Sequence, residues 1–244
     1  MVQFLLTAWC ILCLISGCQS LNRTKEQLSM PDNIVIFTFD DGPNGDTTAR
    51  LLDLLRNYDI HAVFALLGEN VEHSPELAKR IHDEGHTVIN HGYSDTWAFK
   101  MGREEFRANL ARGENAIIAA LGEAPQPLLY RPQGGFYRKA QERIWREETY
   151  TMVPGTARPY DAVAAGTDKN RIVKRVIRKI EAEKGGVILL HDGRDSWRMI
   201  EAKLAKKPDG EFNRSWIPEA VEEIILILRE KGYTLNGFDV FSIL

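Results

Sequence analysis

The stretch Ile34-Val35-Ile36-Phe37-Thr38-Phe39-Asp40-Asp41-Gly42-Pro43 decides the fold, because six mostly β-branched or aromatic residues run directly into two adjacent carboxylates. An apolar run this short, closed by Gly-Pro, is typical of a strand buried on both faces, as in a parallel sheet flanked by helices. Two ionised carboxylates side by side repel unless a cation neutralises one or one is held protonated. The pair Asp40 and Asp41 therefore suggests a metal ligand beside a base, with a solvated turn as the alternative.

Strand and helix patterns alternate along the rest of the chain. Apolar periodicity and cap residues predict helices over about 47–57, 74–85, 103–121, 138–146, 168–183 and 218–231, with a polar loop over 193–216. Short β-branched runs predict further strands over 61–66, 86–90, 128–130, 149–153, 186–190 and 233–235. Because no sequence repeats are visible, this alternation implies parallel strands joined by right-handed crossovers.

Residues capable of chemistry follow the C-terminal ends of different predicted strands. They are Asp40, Asp41, His91, Arg131 and His191. In a βα barrel those strand ends form one rim, so residues far apart in sequence converge there. A lone histidine or arginine after a strand is more often a cap, but five in register favour a shared site. We predict an α/β fold, a distorted (β/α) barrel of about seven parallel strands similar to a TIM barrel, rather than an open doubly wound sheet.

Composition bounds the class of protein. The chain has 244 residues, 44% hydrophobic and 27% charged, with a net charge of −3. These values are those of an ordinary globular chain of one large or two small domains. No basic stripe is present, which argues against a nucleic-acid partner held through its phosphates.

The first twenty residues form a separate segment. They carry no charged side chain, and the apolar core over residues 4–15 is short for a membrane span but typical of a signal peptide. The ending Ile15-Ser16-Gly17-Cys18 resembles the lipobox of bacterial lipoproteins, in which the cysteine is lipidated. We expect a signal peptide over 1–17, a tether over 18–31 and a catalytic domain over 32–244. The start lacks Lys or Arg, so an uncleaved signal anchor is the alternative.

Cysteine usage agrees with export followed by lipidation. Cys10, Cys13 and Cys18 are the only cysteines, so the exported domain has no disulfide and no catalytic thiol. The expected location is the cell envelope or the periplasmic side of a membrane, with the lipid on Cys18 as the membrane anchor.

Four motifs now support a resemblance to a known family. The chain resembles the polysaccharide deacetylases, the NodB-homology or carbohydrate esterase 4 group, over roughly residues 33–235. The motifs are Thr38-Phe39-Asp40-Asp41-Gly42, His91-Gly92-Tyr93-Ser94, Arg131-Pro132 and Leu189-Leu190-His191. The resemblance implies a distorted (β/α) barrel and metal-assisted hydrolysis of an acetamide on a sugar polymer.

The resemblance assigns catalytic roles only where residues match. Asp40 stands at the family's general base, Arg131 at the arginine that orients this base, and His191 at the general acid. Leu189 matches a residue lining the pocket for the acetyl methyl group. Asp41 stands at a metal ligand, and His91 stands at the first histidine of a His-x-x-x-His metal motif.

These roles also follow from what amide hydrolysis requires. A divalent metal polarises the carbonyl and lowers the pKa of bound water to about 7, while a carboxylate accepts the proton. His191, expected to titrate near neutrality, protonates the amine leaving group. Arg131 keeps the base ionised and aimed. Backbone N–H groups of the turn containing Gly134 and Gly135 are expected to share the oxyanion with the metal.

The sequence departs from the family where the second metal histidine belongs, because Asp95 stands there. Aspartate still binds divalent ions, but Asp41 and Asp95 together cancel the ion's formal charge and shift its preference from zinc toward harder ions. We expect a divalent metal ion, zinc first, with manganese and cobalt as alternatives. The family's Asp-x-x-Asp-Trp motif, expected to support the arginine, is reduced to Asp161 in Pro159-Tyr160-Asp161-Ala162.

Aromatic residues on two rim loops complete the prediction. Trp97 follows the His91 loop and Trp197 follows His191, and both offer flat surfaces on which sugar rings can stack. We predict a monomeric, metal-dependent deacetylase of N-acetylated polysaccharide, of peptidoglycan or poly-N-acetylglucosamine type. The alternatives are a metal-independent amidase of the same superfamily and an inactive carbohydrate-binding lipoprotein.

Overall fold

The computed structural model describes residues 18–22, 24, 26–28 and 30–235. Its strands are β1 (Cys18–Ser20), β2 (Val35–Gly42), β3 (Val63–Leu66), β4 (Thr87–Asn90), β5 (Leu129–Tyr130), β6 (Phe136–Arg138), β7 (Thr151–Met152) and β8 (Gly186–His191). Its α-helices are α1 (Gly45–Asn57), α2 (Gly68–His73), α3 (Pro75–Asp83), α4 (Arg103–Leu121), α5 (Lys139–Glu147), α6 (Lys169–Glu183), α7 (Trp197–Leu204) and α8 (Ile217–Glu230). Strands and helices alternate as an α/β protein requires.

Six of these strands form one parallel sheet in the order β7-β5-β4-β3-β2-β8. The sheet curls into a half-barrel flanked by helices, so the predicted (β/α)-barrel class is confirmed with six strands. The predicted strand over 233–235 contributes only a parallel bridge between Thr234 and Ile34. β1 and β6 form a separate antiparallel pair.

A short segment after β7 connects the two edges of the curled sheet. At one edge, the Val153 N–H donates to the Tyr130 carbonyl at 2.9 Å. At the other edge, the Ala157 N–H donates to the Val187 carbonyl at 3.0 Å, and the Leu189 N–H donates to the Ala157 carbonyl at 2.9 Å. Residues 153–157 therefore close the sheet without forming a regular strand.

Alternation along β2 explains why its whole length is buried. Val35, Phe37 and Phe39 pack outward against helices α1, α6 and α8, whereas Ile36 packs on the opposite face. The cluster around Ile36 also contains side chains from β3, β4, β5 and β8, so it fills the inside of the curled sheet. A strand buried on both faces is the arrangement that the opening apolar run predicts.

The N-terminal segment differs from the expected tether. β1 pairs with β6, and Leu21, Leu28 and Met30 are buried against the domain. Leu28 and Met30 join the cluster inside the curled sheet. The described residues of 18–31 are therefore part of the folded domain. Their apolar side chains are scattered and show no helix or strand period, so the sequence does not reveal the apolar area that they bury.

Two helices were not expected from the sequence. α2 follows β3 directly, and α7 lies inside the predicted polar loop over 193–216. Both are short, and α7 buries only Ile200, so apolar periodicity gives little signal. The predicted signal peptide over 1–17 lies outside the described residues. Within the described ranges, no helix is long and apolar enough to cross a membrane.

Candidate active site

A β-bulge near the end of β2 brings both carboxylates to one site. Asp40 pairs with Ala65 and Gly42 pairs with Leu66, so Asp41 is an extra residue in the ladder, and its φ is +69°. Consecutive side chains of a regular strand point to opposite faces, and a bulge with a left-handed residue changes that direction. As a result, the His91 Nε2 lies 3.3 Å from an Asp41 oxygen and 4.0 Å from an Asp40 oxygen.

Asp40 is held by a fully buried arginine. The Arg131 Nη1 donates to Asp40 Oδ1 at 2.5 Å and to Thr38 Oγ1 at 2.8 Å. The remaining bonds of the guanidinium go to the carbonyls of Val153 and Pro154. The Arg131 guanidinium therefore lies where it can fix the direction of the Asp40 carboxylate.

His91 is oriented by a backbone carbonyl. Its Nδ1 lies 2.7 Å from the Arg131 carbonyl oxygen, which can only accept, so Nδ1 carries the proton. In the neutral imidazole the lone pair is then on Nε2, which faces Asp41. A histidine whose other nitrogen donates to a carbonyl is the usual arrangement of a metal-binding histidine. Burial acts to lower the pKa of His91, but Asp40 and Asp41 outweigh it and raise the pKa.

Two of the three predicted metal ligands meet directly, and the third lies nearby. Burial acts to raise the pKa of Asp41, but the hydrogen bond with His91 and the charge of His191 outweigh it, so the pKa is lowered. Half-buried Asp95 has its pKa raised well above its ordinary value by burial and by the Asp41 charge, although His91 opposes this.

The donor set fits a divalent cation. Among the described residues, no three His, Cys, Asp or Glu side chains already form a complete ligand cluster. Even so, the His91 Nε2, which would bind a metal once deprotonated, lies 3.3 Å from the Asp41 carboxylate, and the charge of Asp41 repels that of Asp95. A cation bound by Asp41 and His91, with Asp95 as the third ligand, would relieve that repulsion.

His191 is placed opposite Asp40, in the register of β8 and β2. Its Nδ1 donates to Asp161 Oδ1 at 3.0 Å, and its backbone N–H donates to Asp161 Oδ2 at 2.8 Å. Burial acts to lower the pKa of His191, but the charge and hydrogen bond of Asp161 outweigh it and raise the pKa to about 9. The expectation that His191 titrates near neutrality is therefore wrong, and the imidazole is protonated at neutral pH.

Asp161 supports the histidine and not the arginine that the sequence resemblance suggested. Both partners of its carboxylate are cationic, because Arg214 Nη2 donates to Oδ2 at 2.5 Å. Arg214 Nη2 also donates to the His191 carbonyl at 2.9 Å. Burial acts to raise the pKa of Asp161, but His191 and Arg214 outweigh it and lower the pKa. The sequence does not predict this role for Arg214, because the residue lies within the predicted loop and belongs to no motif.

The glycine-rich turn was expected to offer backbone N–H groups to an oxyanion, but in the structure it supports side chains at the rim. The Gly135 N–H donates to the Pro132 carbonyl at 3.0 Å, so it is not free to bind an oxyanion. Gly134 has φ +69°, and a Cβ there would lie 2.7 Å from the Trp97 ring. Trp97 therefore packs on the turn, as a rim residue would, while Lys100 lies 4.8 Å from its ring centre.

The two remaining predicted substrate residues are less accessible. Leu189 is 1% exposed and packs against Gly155, so it belongs to the wall behind the site. Trp197 stacks on His73 with ring centres 4.1 Å apart and planes within 7°. One flat face of Trp197 is therefore already occupied by the protein.

The fold and the site together define a class of enzyme. Asp40 and His191 lie opposite each other at the C-terminal rim of a (β/α) barrel, beside Asp41 and His91, and hydrolysis by an activated water requires a proton acceptor and a proton donor of this kind. The chain belongs to the polysaccharide deacetylase family, whose profile matches residues 27–153. It is thus a hydrolase of amide carbon–nitrogen bonds other than peptide bonds.

Named relatives and solved structures agree with this membership. A peptidoglycan-N-acetylglucosamine deacetylase of Bacillus cereus is 33% identical over 181 residues, which cover 72% of this chain and 82% of that protein. The crystal structure of a peptidoglycan N-acetylglucosamine deacetylase is 30% identical, with a TM-score of 0.68 over 83% of this chain and 84% of that chain. Two further deacetylases are longer, and this chain spans 64% and 44% of their lengths.

A metal complex is also among the similar structures. It is a family 4 acetyl xylan esterase from Clostridium thermocellum in complex with a cobalt ion. That chain is 26% identical, with a TM-score of 0.65 over 82% of this chain and 85% of its own. Relatives with these names act on cell-wall and related polysaccharides, so deacetylation of cell-wall polysaccharide is the function that the family supports.

The Asp161–His191 pair generates a prediction about pH. Replacing Asp161 with Asn keeps the shape but removes the charge, so the pKa of His191 should fall from about 9 toward or below 6.5. NMR titration of the imidazole in chelator-treated protein measures it, with His86, whose pKa burial lowers to about 4, as the internal control. An unchanged pKa of His191 would contradict the assignment.

The same pair makes stability depend on pH. Because the folded pKa of His191 lies above the 6.5 of an unfolded histidine, its stabilisation is complete below pH 6.5 and is lost as the pH rises through about 9. The difference in unfolding free energy between the wild type and Asp161→Asn should therefore shrink above pH 9.

Proposed function

We propose that the chain is a metal-dependent deacetylase that removes acetyl groups from N-acetylated sugars of a cell-envelope polysaccharide, of peptidoglycan or poly-N-acetylglucosamine type. One observation carries the metal: the His91 Nδ1 donates to a carbonyl, so that Nε2 holds the lone pair of the neutral imidazole, and this Nε2 lies 3.3 Å from the Asp41 carboxylate. The substrate class follows the named relatives, which are peptidoglycan-N-acetylglucosamine deacetylases.

In this proposal Asp41, His91 and Asp95 hold the divalent ion, with zinc first and manganese or cobalt as alternatives. When bound, the ion supplies Lewis-acid polarisation of the acetamide carbonyl and lowers the pKa of water. Asp40 accepts the proton from the attacking water, and the hydrogen bond from Arg131 fixes the direction of its carboxylate.

The proton for the leaving amine comes from His191. Its Nδ1 is occupied by Asp161, which leaves Nε2 to donate, and its pKa of about 9 keeps it protonated at neutral pH. An amine is a poor leaving group until it is protonated. Cleavage of the C–N bond therefore requires a protonated general acid opposite the base. A binding module needs neither this acid nor the base, which argues against the alternative of an inactive lipoprotein.

The test of the proposal is acetate release from N-acetylglucosamine oligomers by the purified full chain. We expect chelator to abolish release and zinc, manganese or cobalt to restore it. His91→Ala should abolish both metal binding and turnover, whereas His82→Gln, a histidine on the surface of α3, should change neither. Activity that is indifferent to chelator would support the metal-independent amidase, and a fully active His91→Ala protein would refute the metal site.

Asp95 should set the choice of metal. Two carboxylates and one imidazole give a harder donor set than one carboxylate and two imidazoles. We therefore expect Asp95→His to raise the affinity for zinc relative to manganese, measured by competitive metal titration of the protein. As a control, Asp195→His, at another aspartate whose charge acts on Asp95, should leave that ratio unchanged. Equal metal preference in wild type and Asp95→His would exclude Asp95 as a ligand.

We further propose export and anchoring through a lipid on Cys18. β1 begins at Cys18, so a lipid there would be joined to the folded domain with almost no free chain between them. Cys18→Ser should release the protein from the membrane fraction of the producing cell, whereas Cys13→Ser should not, because a lipid chain contributes most of such anchoring. Retention of Cys18→Ser in the membrane would instead support an uncleaved signal anchor.

A further inference from the structure

Arg158 packs on the glycine-rich turn, near the proposed catalytic base. A Cβ at Gly135 would lie 2.7 Å from its Nη1 and 2.8 Å from its Nη2, so the guanidinium packs directly on the glycine. Gly135 has φ +76°, a conformation that other residues rarely adopt. The turn therefore carries two side chains, with Trp97 against Gly134 and Arg158 against Gly135.

The donors of Arg158 are largely unused by the protein. Among the described residues its only hydrogen bond runs from Nη1 to Asn22 Oδ1 at 3.5 Å, at the limit of such a bond, and it forms no ion pair. Nε and Nη2 form no hydrogen bond with the described residues, and neither atom is fully buried, so both reach solvent.

Two other arginines of the site show the contrast. Arg131 and Arg214 are at most 1% exposed, and each is bonded to a carboxylate and to backbone carbonyls. Their donors serve the fold and the catalytic groups. Arg158 is partly buried at the same site, but most of its N–H donors have no protein partner. A ligand could therefore accept hydrogen bonds from them.

Arg158 also lies within electrostatic reach of the catalytic groups. Burial lowers the pKa of its guanidinium, and the Asp40 carboxylate opposes this more than any other charge does, with Asp161 also contributing. The guanidinium remains charged. A polymer whose acetamide is at Asp40 would therefore pass within reach of Arg158.

Tyr160 provides an exposed aromatic ring on the same segment. It is 53% exposed, and its backbone has φ 62° and ψ 36°, a strained conformation for a residue other than glycine. The segment is fixed at both sides, because Arg175 donates to the Pro159 carbonyl at 3.2 Å and Asp161 is bonded to His191. Strain that holds an exposed aromatic residue beside a catalytic centre is typical of a binding surface.

We propose that Arg158 and Tyr160 form a subsite for a carboxylate-bearing sugar of the substrate, so that the preferred polymer is acidic. This inference rests on the proposed deacetylase function and specifies its substrate. A guanidinium binds a carboxylate through two parallel hydrogen bonds, and an exposed tyrosine stacks on the apolar face of a pyranose ring. The carboxylate can belong to the lactyl ether of a muramic-type sugar or to a uronic acid, because the same fork recognises both.

The experiment compares substrates that differ only in charge. Peptide-free peptidoglycan glycan strands with free lactyl carboxylates are compared with the same strands converted to methyl amides. Hyaluronan-type oligomers supply uronate carboxylates, and N-acetylglucosamine oligomers supply none. The wild type should show a KM for one carboxylate substrate about tenfold below its neutral counterpart, as loss of a charge-assisted hydrogen bond implies. Which acidic polymer is preferred identifies the source of the carboxylate.

Variants of Arg158 and of a control arginine on the surface separate recognition of the carboxylate from general electrostatics. Arg158→Gln should raise the KM for the acidic polymer to that of the neutral one, with kcat and the KM for the neutral polymer unchanged. Arg158→Lys should recover part of the preference, since it keeps the charge without the planar fork. Arg178→Gln removes the same charge from an exposed position of α6 and should retain the full preference. Melting temperatures of all variants confirm folding.

Each other result has a distinct meaning. If the wild type releases acetate from acidic and neutral substrates with equal KM, the subsite is refuted while the deacetylase function stands. If Arg158→Gln lowers kcat equally on all substrates, Arg158 only balances the charge of Asp40 and Asp161, which also refutes the subsite. If no substrate releases acetate with any metal, the proposed function itself fails. Should Arg158→Gln fail to fold, Arg158→Lys decides by its preference alone.

Discussion

The buried guanidinium of Arg131 is the interaction on which both the fold and the site depend. A cation removed from water is costly unless every donor is matched, and here the partners are Asp40, Thr38 and the carbonyls of Val153 and Pro154. These partners lie on β2 and on the segment that closes the sheet. The contact that orients the base therefore also joins opposite parts of the curled sheet, and the carbonyl of Arg131 itself fixes His91.

The bulge at Asp41 brings like charges together, and the other residues of the site offset their repulsion. It turns a second carboxylate toward the first, and Asp95 adds a third whose pKa burial and Asp41 raise. Positive charge is supplied on two sides, by Arg131 at Asp40 and by His191, whose raised pKa keeps it protonated at neutral pH. Between them, at Asp41 and His91, a divalent cation would balance the remaining negative charge.

The sequence could predict the residues at strand ends but not those that support them. Asp40, Asp41, His91, Arg131 and His191 meet because parallel strands in a curled sheet present their C-terminal ends at one rim, and short apolar runs reveal those strands. Asp161 and Arg214 come from irregular chain 30 and 23 residues from His191, where no periodicity predicts a contact. The Gly135 amide was misassigned because local turn bonding is invisible in a glycine-rich motif.

One irregular segment fixes base and acid relative to each other. The carbonyls of Val153 and Pro154 hold Arg131 and thereby Asp40, and Asp161, seven residues after Pro154, holds His191. Between these two points, Ala157 is bonded to β8, so the segment cannot shift without changing the strand that carries His191. The register of β2 and β8 places Asp40 beside His191, and this single length of chain then fixes the orientation of both side chains. Its lack of regular structure is what allows it to touch β5, β8 and both catalytic groups within a few residues.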